Sequence, residues 1–194
     1  AYDSIRDRII LHGGGKRRDE VWSFDLKTNR WQKLRGDVAG GGEPPVCSRE
    51  AVYLPGEDVF LTFNSSRGNQ GGMPLWAYRP AEARWYRVDI GPPSAAGRTS
   101  WNGQNRAMGY DPARGLVLLV LGTGGSEGKT HVFALKYRQP AAGKVAFEHV
   151  VIDANGPADV WLKASGDLNG AGFPDLYGAN WQGHVVELWR NAGK

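Results

Sequence analysis

Short apolar runs bounded by Gly, Pro, Asp and Asn recur along this chain, the pattern of strands joined by tight turns. RIILHGG (8–14) is apolar almost throughout, as expected of a strand buried on both faces. RWQKL (30–34) and RWYRV (84–88) instead alternate, as on a strand with one wet face. The runs also repeat. VWSFDLKTNRWQKL (21–34) aligns without a gap to LWAYRPAEARWYRV (75–88). Upstream of these, AYDSIRDRIILHGGG (1–15) matches VYLPGEDVFLTFNSS (52–66) and GYDPARGLVLLVLGTGG (109–125). Tyr2, Tyr53 and Tyr110 thus head three units at roughly 50-residue spacing, a period at which repeat architectures are expected. Each unit is predicted as strand, tight turn, apolar strand, Gly-rich loop, aromatic strand, turn and a last strand, which carries Trp31 and Trp85 in the first two units.

One four-stranded sheet of this kind cannot bury both its faces. Radial stacking of several does so and leaves only short edges, so the fold class expected is all-β, a β-propeller of four-stranded antiparallel blades. The units are 1–46, 47–101 and 102–146, and residues 147–194 form a further, different repeat in the same ring or at the start of a second propeller. SREAVY and QNRAMGY read as first strands leading into Tyr53 and Tyr110, whereas almost nothing precedes Tyr2. The expectation is therefore a piece of a larger propeller protein that has lost upstream sequence, rather than a ring closed by its own C-terminus.

Tyr2-Asp3, the strand ending in Gly13-Gly14, Val21-Trp22 with Phe24, and the later Trp31 resemble a kelch repeat. The resemblance covers about residues 1–140. The second unit keeps both Trp residues but has Asn64-Ser65 for the Gly pair. The third keeps Gly124-Gly125 and has Phe133 and Phe147 near the Trp positions. Kelch blades imply a propeller and say little of function, since the fold hosts enzymes, scaffolds and adaptors alike.

The segment GDLNGAGFPDL (166–176) poses the chemical question. Counted from Asp167, side-chain oxygens fall at positions 1 (Asp167), 3 (Asn169) and 9 (Asp175), and the Phe173 carbonyl at position 7 is a further donor. Gly170 and Gly172 permit the curl that turns them inward. Calcium takes six to eight oxygens from such flexible loops. An EF-hand fits poorly, because position 12 is Gly178 and the flanks DVWLKAS and LYGANW read as strands. Residues 147–191, with His-Val-Val-Ile-Asp at the start, Pro-Asp-Leu after the loop and Val-Glu-Leu-Trp-Arg-Asn at the close, are similar to an FG-GAP or VCBS repeat. That resemblance implies calcium held by Asp167, Asn169, the Phe173 carbonyl and Asp175 in a structural role. Ala171 stands where the family has an acidic ligand, which weakens the site. The alternative is a metal-free turn braced by Asp and Asn hydrogen bonds.

Composition narrows the partners. Of 194 residues, 28 are Gly, 11 Pro and 8 Trp, which favours turns and flat packing surfaces. The net charge of +4 is scattered, and Lys16-Arg17-Arg18 runs straight into Asp19-Glu20, so no nucleic-acid stripe is expected. No apolar run approaches the length of a membrane helix. The single Cys47 excludes an internal disulfide or a Cys-based zinc cluster within the chain and reads as a small buried thiol. Cys47 also lacks the His and Tyr neighbours that would suit the copper radical oxidases among kelch proteins. His12 and His149 read as structural, His131 and His184 as loop or strand-edge residues, and neither a phosphate-binding loop nor a Gly-x-Ser-x-Gly nucleophile motif occurs. Trp101 (TSWNGQN) and Trp181 (GANWQGH) lie in loop-like contexts, available to stack on a sugar ring or to pack a blade. Asn64-Ser65-Ser66 is a glycosylation sequon, meaningful only in a secreting eukaryote. The function expected is a non-catalytic extracellular or periplasmic module that binds or scaffolds a carbohydrate or protein partner. The alternatives are the propeller part of a secreted carbohydrate-active or oxidising enzyme and, third, an intracellular kelch adaptor.

Overall fold

A computed structural model describes residues 1–13, 20–45, 50–63, 75–89, 106–122, 130–138, 144–156, 160–180 and 186–192. These residues are all-β, without helix, and are arranged in sheets of the propeller-blade type. The first sheet runs β1 (Tyr2–Asp3), β2 (Arg8–His12), β3 (Val21–Asp25) and β4 (Arg30–Leu34) in chain order. After β5 (Asp37–Val38), the second runs β6 (Ala51–Leu54), β7 (Val59–Phe63), β8 (Leu75–Arg79) and β9 (Arg84–Asp89). β10 (Arg106–Asp111), β11 (Leu116–Gly122), β12 (Thr130–Arg138) and β13 (Val145–Gly156) follow in order and join the second sheet through β13 and β9, so that the pairing is continuous, β10-β11-β12-β13-β9-β8-β7-β6, with β6–β9 and β10–β13 as its second-repeat and third-repeat parts. The last sheet is three-stranded, β14 (Val160–Gly166), β15 (Asp175–Asn180) and β16 (Val186–Trp189).

The chain divides into two compact units. The first comprises Ala1–Gly68, Pro74–Asp89 and Arg138–Ala146, and the second Asn69–Met73, Ile90–Tyr137 and Phe147–Lys194. The division falls inside β13. Val145 and Ala146 pair in parallel with Val88 and Asp89, while from Phe147 on the strand belongs to the second unit. β5 pairs with β9 in the same sense, through Asp37–Arg84 and Val38–Trp85.

Register makes the repeats superimpose. In the first sheet Tyr2, Ile9, Phe24 and Trp31 form one cross-strand row; in the second the row is Tyr53, Phe60, Tyr78 and Trp85. The turn after each Tyr needs a residue with positive φ, supplied by Asp7 (φ 52), Asp58 (φ 52) and Gly115 (φ 62). The later turn uses Asn29 (φ 54) and Ala83 (φ 52). Asp25 closes that turn in the first sheet, its Oδ1 accepting the backbone N–H of Lys27 and Thr28 at 2.9 and 2.8 Å.

In the first unit the inner face of the first sheet, Ile10 and Val21 with partly buried Leu34, packs on the second sheet's aromatic row and Trp76. In the second unit Leu118, Val120 and Val132 of β11 and β12 pack on Leu176 of β15 and Trp189 of β16. Side chains on both faces of β7 are buried, as its apolar sequence predicts. The same expectation fails for β2, where Ile10 and His12 are buried but Ile9 and Leu11 are exposed, because only one face of that sheet is covered. In β9 the alternation of RWYRV does not leave a wet face at its centre. Trp85 and Tyr86 point to opposite faces and both are buried.

Candidate functional site

The Asp167 loop joins β14 to β15 within the second unit, and both flanks are strands as the sequence predicts. Gly170 (φ 73) and Gly172 (φ 82) take the left-handed backbone that lets the chain curl, a conformation a Cβ would strain. Around that curl the exposed Asp167 accepts two backbone N–H groups, from Ala171 to Oδ1 at 2.9 Å and from Gly172 to Oδ2 at 2.7 Å. The Asn169 Oδ1 shares the Ala171 N–H at 2.9 Å. Asp175 differs, being almost wholly buried. Its Oδ2 accepts the Leu168 N–H at 3.2 Å, and its Oδ1 the Asn191 N–H at 2.8 Å. Thus Asp167 and Asn169 meet at one amide, while Asp175 ties the start of the loop to the chain beyond β16.

Every side-chain donor here is an oxygen, which suits a hard cation such as calcium better than a transition metal. Asp167, Asn169 and Asp175 already accept backbone N–H groups through the oxygens just named, although a carboxylate oxygen has a second lone pair to offer. Only two of the donors are anionic, and Ala171 adds none. Among the described residues no three His, Cys, Asp or Glu side chains converge on one point. The set therefore matches calcium in kind and falls short of it in number, and water would have to complete the shell.

A second element of the site went unnoticed in the sequence. Asn191 Nδ2 donates to Asp111 Oδ2 at 3.0 Å, linking the buried Asp175 to the turn between β10 and β11. Asp111 is itself fully buried, accepts the Ala113 and Arg114 N–H groups, and pairs with the Arg114 guanidinium at 2.8 Å. That guanidinium lies over the Phe173 ring, 4.2 Å from its centre, a cation–π contact back onto the loop. Burial alone would push the Asp111 carboxyl up, but hydrogen bonds from Arg114 and Asn191 and the Arg114 charge outweigh it and hold the group below the usual carboxylate range.

The first unit carries the counterpart. Asp3 occupies the position of Asp111 and Arg6 that of Arg114. Buried Asp3 binds Arg6 and Arg8 at 3.1 and 2.9 Å, and Arg6 reaches the next sheet's Asp58 with two bonds of 2.7 and 2.6 Å. Tyr53 donates to the same Asp58 at 2.6 Å, as Tyr2 does to Asp7 at 2.8 Å. Desolvation opposes the ionised Asp58, but Arg6 and Tyr53 prevail and its pKa is lowered. The signal was present in the sequence as Asp-x-x-Arg after Tyr2 and Tyr110. It identifies a clamp between sheets, not a reactive pair.

The other candidate residues divide simply. His12 is buried, its Nε2 3.0 Å from the Pro45 carbonyl and its ring 4.6 Å from that of Trp85, a structural setting. His149 stacks edge-on to Phe133. Trp101, Trp181, Cys47 and His184 lie outside the described residues, as does Asn64-Ser65-Ser66, and the His131 side chain is likewise not described. Among the described residues no helix is long and apolar enough to cross a membrane. Compared with family models, the chain gives no match, and compared with curated proteins it gives none either.

Proposed function

We propose that this chain is a binding or scaffolding module of an extracellular or periplasmic β-propeller protein, kelch-like over 1–146 and FG-GAP/VCBS-like over 147–194, whose Asp167 loop holds calcium weakly in a structural role. The observation that carries this reading is the placing of the loop. Asp175, Asn191 and Asp111 connect it to the neighbouring sheet, so that whatever rigidifies the loop rigidifies the packing of blade on blade. Asp58 and Asp111, two of the carboxyls with lowered pKa, are held ionised by arginines, which suits a brace better than proton transfer. Partner binding then falls to residues that the sequence alone nominates. Trp101 and Trp181 are its candidate contacts for a sugar ring or a protein surface.

Calcium titration followed by thermal unfolding tests the ionic part. The natural chain should gain a small rise in Tm at millimolar calcium that EGTA reverses, since a ligand bound only to the folded state stabilises it. Ala171→Asp should tighten binding by restoring an anionic oxygen, and Asp167→Asn should abolish it. A Tm indifferent to calcium in both the natural chain and Ala171→Asp would defeat the calcium assignment. The binding part is tested on an array of glycans and extracellular proteins, where Trp101→Ala or Trp181→Ala should weaken any captured ligand.

A further inference from the structure

The curl of the Asp167 loop contains Asn169-Gly170, one of three Asn-Gly pairs in the chain, with Asn102-Gly103 and Asn155-Gly156. In such a pair the Asn side-chain amide carbon is an electrophile, and the backbone nitrogen that follows can close a ring onto it. Glycine hinders that nitrogen least, having no Cβ. A folded chain permits the closure where water has access, the side chain is turned toward the next nitrogen and that N–H is not held elsewhere. Asn169 meets these conditions. Both residues of the pair are exposed, and a Cβ on Gly170 would meet no atom within 4 Å. Asn169 Oδ1 accepts the Ala171 N–H at 2.9 Å, a local turn whose ring encloses the Gly170 nitrogen and whose hydrogen bond draws electrons from the amide carbon. The Ala171 and Gly172 N–H groups also donate to Asp167, whereas the Gly170 N–H has no hydrogen-bond partner among the described residues. Asn155-Gly156 instead ends β13, an extended backbone without the turn that ring closure needs.

We propose that Asn169 is a site of spontaneous deamidation. The Gly170 nitrogen gives its proton to hydroxide and attacks the Asn169 Cγ. The bond from Cγ to the side-chain nitrogen breaks, and that nitrogen leaves as ammonia with a proton from water, which forms a cyclic imide. Water then opens the ring at one of its two carbonyls, leaving at position 169 either an aspartate or the isomer linked through its side-chain carbon. The aspartate adds a further carboxylate to those of Asp167 and Asp175 and so tightens a hard-cation site, whose affinity follows its anionic ligands. That consequence rests on the calcium reading above, and the modification does not. The isomer lengthens the backbone of the curl by a methylene and loosens it.

Peptide mapping by mass spectrometry tests the modification, on the full chain incubated at mildly alkaline pH both folded and in concentrated urea. The Asn169 peptide should gain the mass difference between amide and acid, at a rate that rises with hydroxide concentration. It should do so in the folded chain at least as fast as in urea, while Asn155 converts in urea and lags in the folded chain. Slower conversion of Asn169 folded than in urea would overturn the proposal, since it means that the turn locks the side chain against ring closure. Asn169→Asp makes the aspartate product directly and tests the consequence. Its calcium-induced rise in Tm should exceed that of the natural chain. A rise no larger, beside an enlarged one in Ala171→Asp, would overturn the gain in affinity. Indifference to calcium in all of these chains is the failure of the calcium reading, and the gain in affinity falls with it. The mass measurement judges the modification in either case.

Discussion

Asp58 and Asp111 show how single side chains hold neighbouring sheets together. Each is a carboxylate for which burial is unfavourable, and each is kept ionised by an arginine and a further donor, Tyr53 for Asp58 and Asn191 for Asp111. A carboxyl whose folded pKa lies below its unfolded value of about 4 contributes stability above that pH and loses it as pH falls through the folded value. Stability to urea should therefore be flat from neutral pH down to about 5 and then decline toward pH 2. Asp58→Asn and Asp111→Asn should start from lower stability and decline less steeply over the same window. An acid limb as steep in both variants as in the natural chain would mean that other carboxyls are responsible.

The tight turns between strands invite a different comparison, because the repeats solve one backbone problem with different residues. The turn joining β3 to β4 puts Asn29 at φ 54, whereas the turn joining β8 to β9 puts Ala83 at φ 52. Asn tolerates the left-handed region through local hydrogen bonding, while the Ala Cβ crowds the backbone. Ala83→Asn should stabilise the chain by up to about 1 kcal/mol, read as a higher urea midpoint at unchanged slope. A loss of stability instead would show that the packing of the Ala83 methyl against the core outweighs its strain. Such turns and the strands between them were legible in the sequence, since Tyr2, Tyr53 and Tyr110 and the pairs Arg30-Trp31 and Arg84-Trp85 recur at matched offsets. The burial of each face was not. Whether Ile9 or Phe60 is covered depends on which sheet lies beside it, and two nearly equivalent apolar runs carry no mark of that difference. The Asp167 loop was legible as a curl of acidic and Gly residues. Its attachment to Asp111 through Asn191 spans 80 positions and no local spacing announces it.

Across the molecule, the stability of stacked repeats is close to a sum of terms within sheets and between neighbours. Trp85 sits at one of these junctions, its ring 4.6 Å from His12, 5.1 Å from Tyr78 and 6.3 Å from Phe60. Cutting it to Ala removes the group that both sheets of the first unit share and should cost about 3–5 kcal/mol. The second unit has its own core around Leu118, Val120, Val132 and Leu176, in which Trp85 takes no part. Loss of order in Trp85→Ala should consequently be local. Amide hydrogen exchange should quicken first in β2, β3 and β6 to β9, with β11 and β15 still protected under the same conditions. Equal acceleration in all of these strands would mean that the two cores fold and unfold as one, and that the sum over neighbours is the wrong description of this chain.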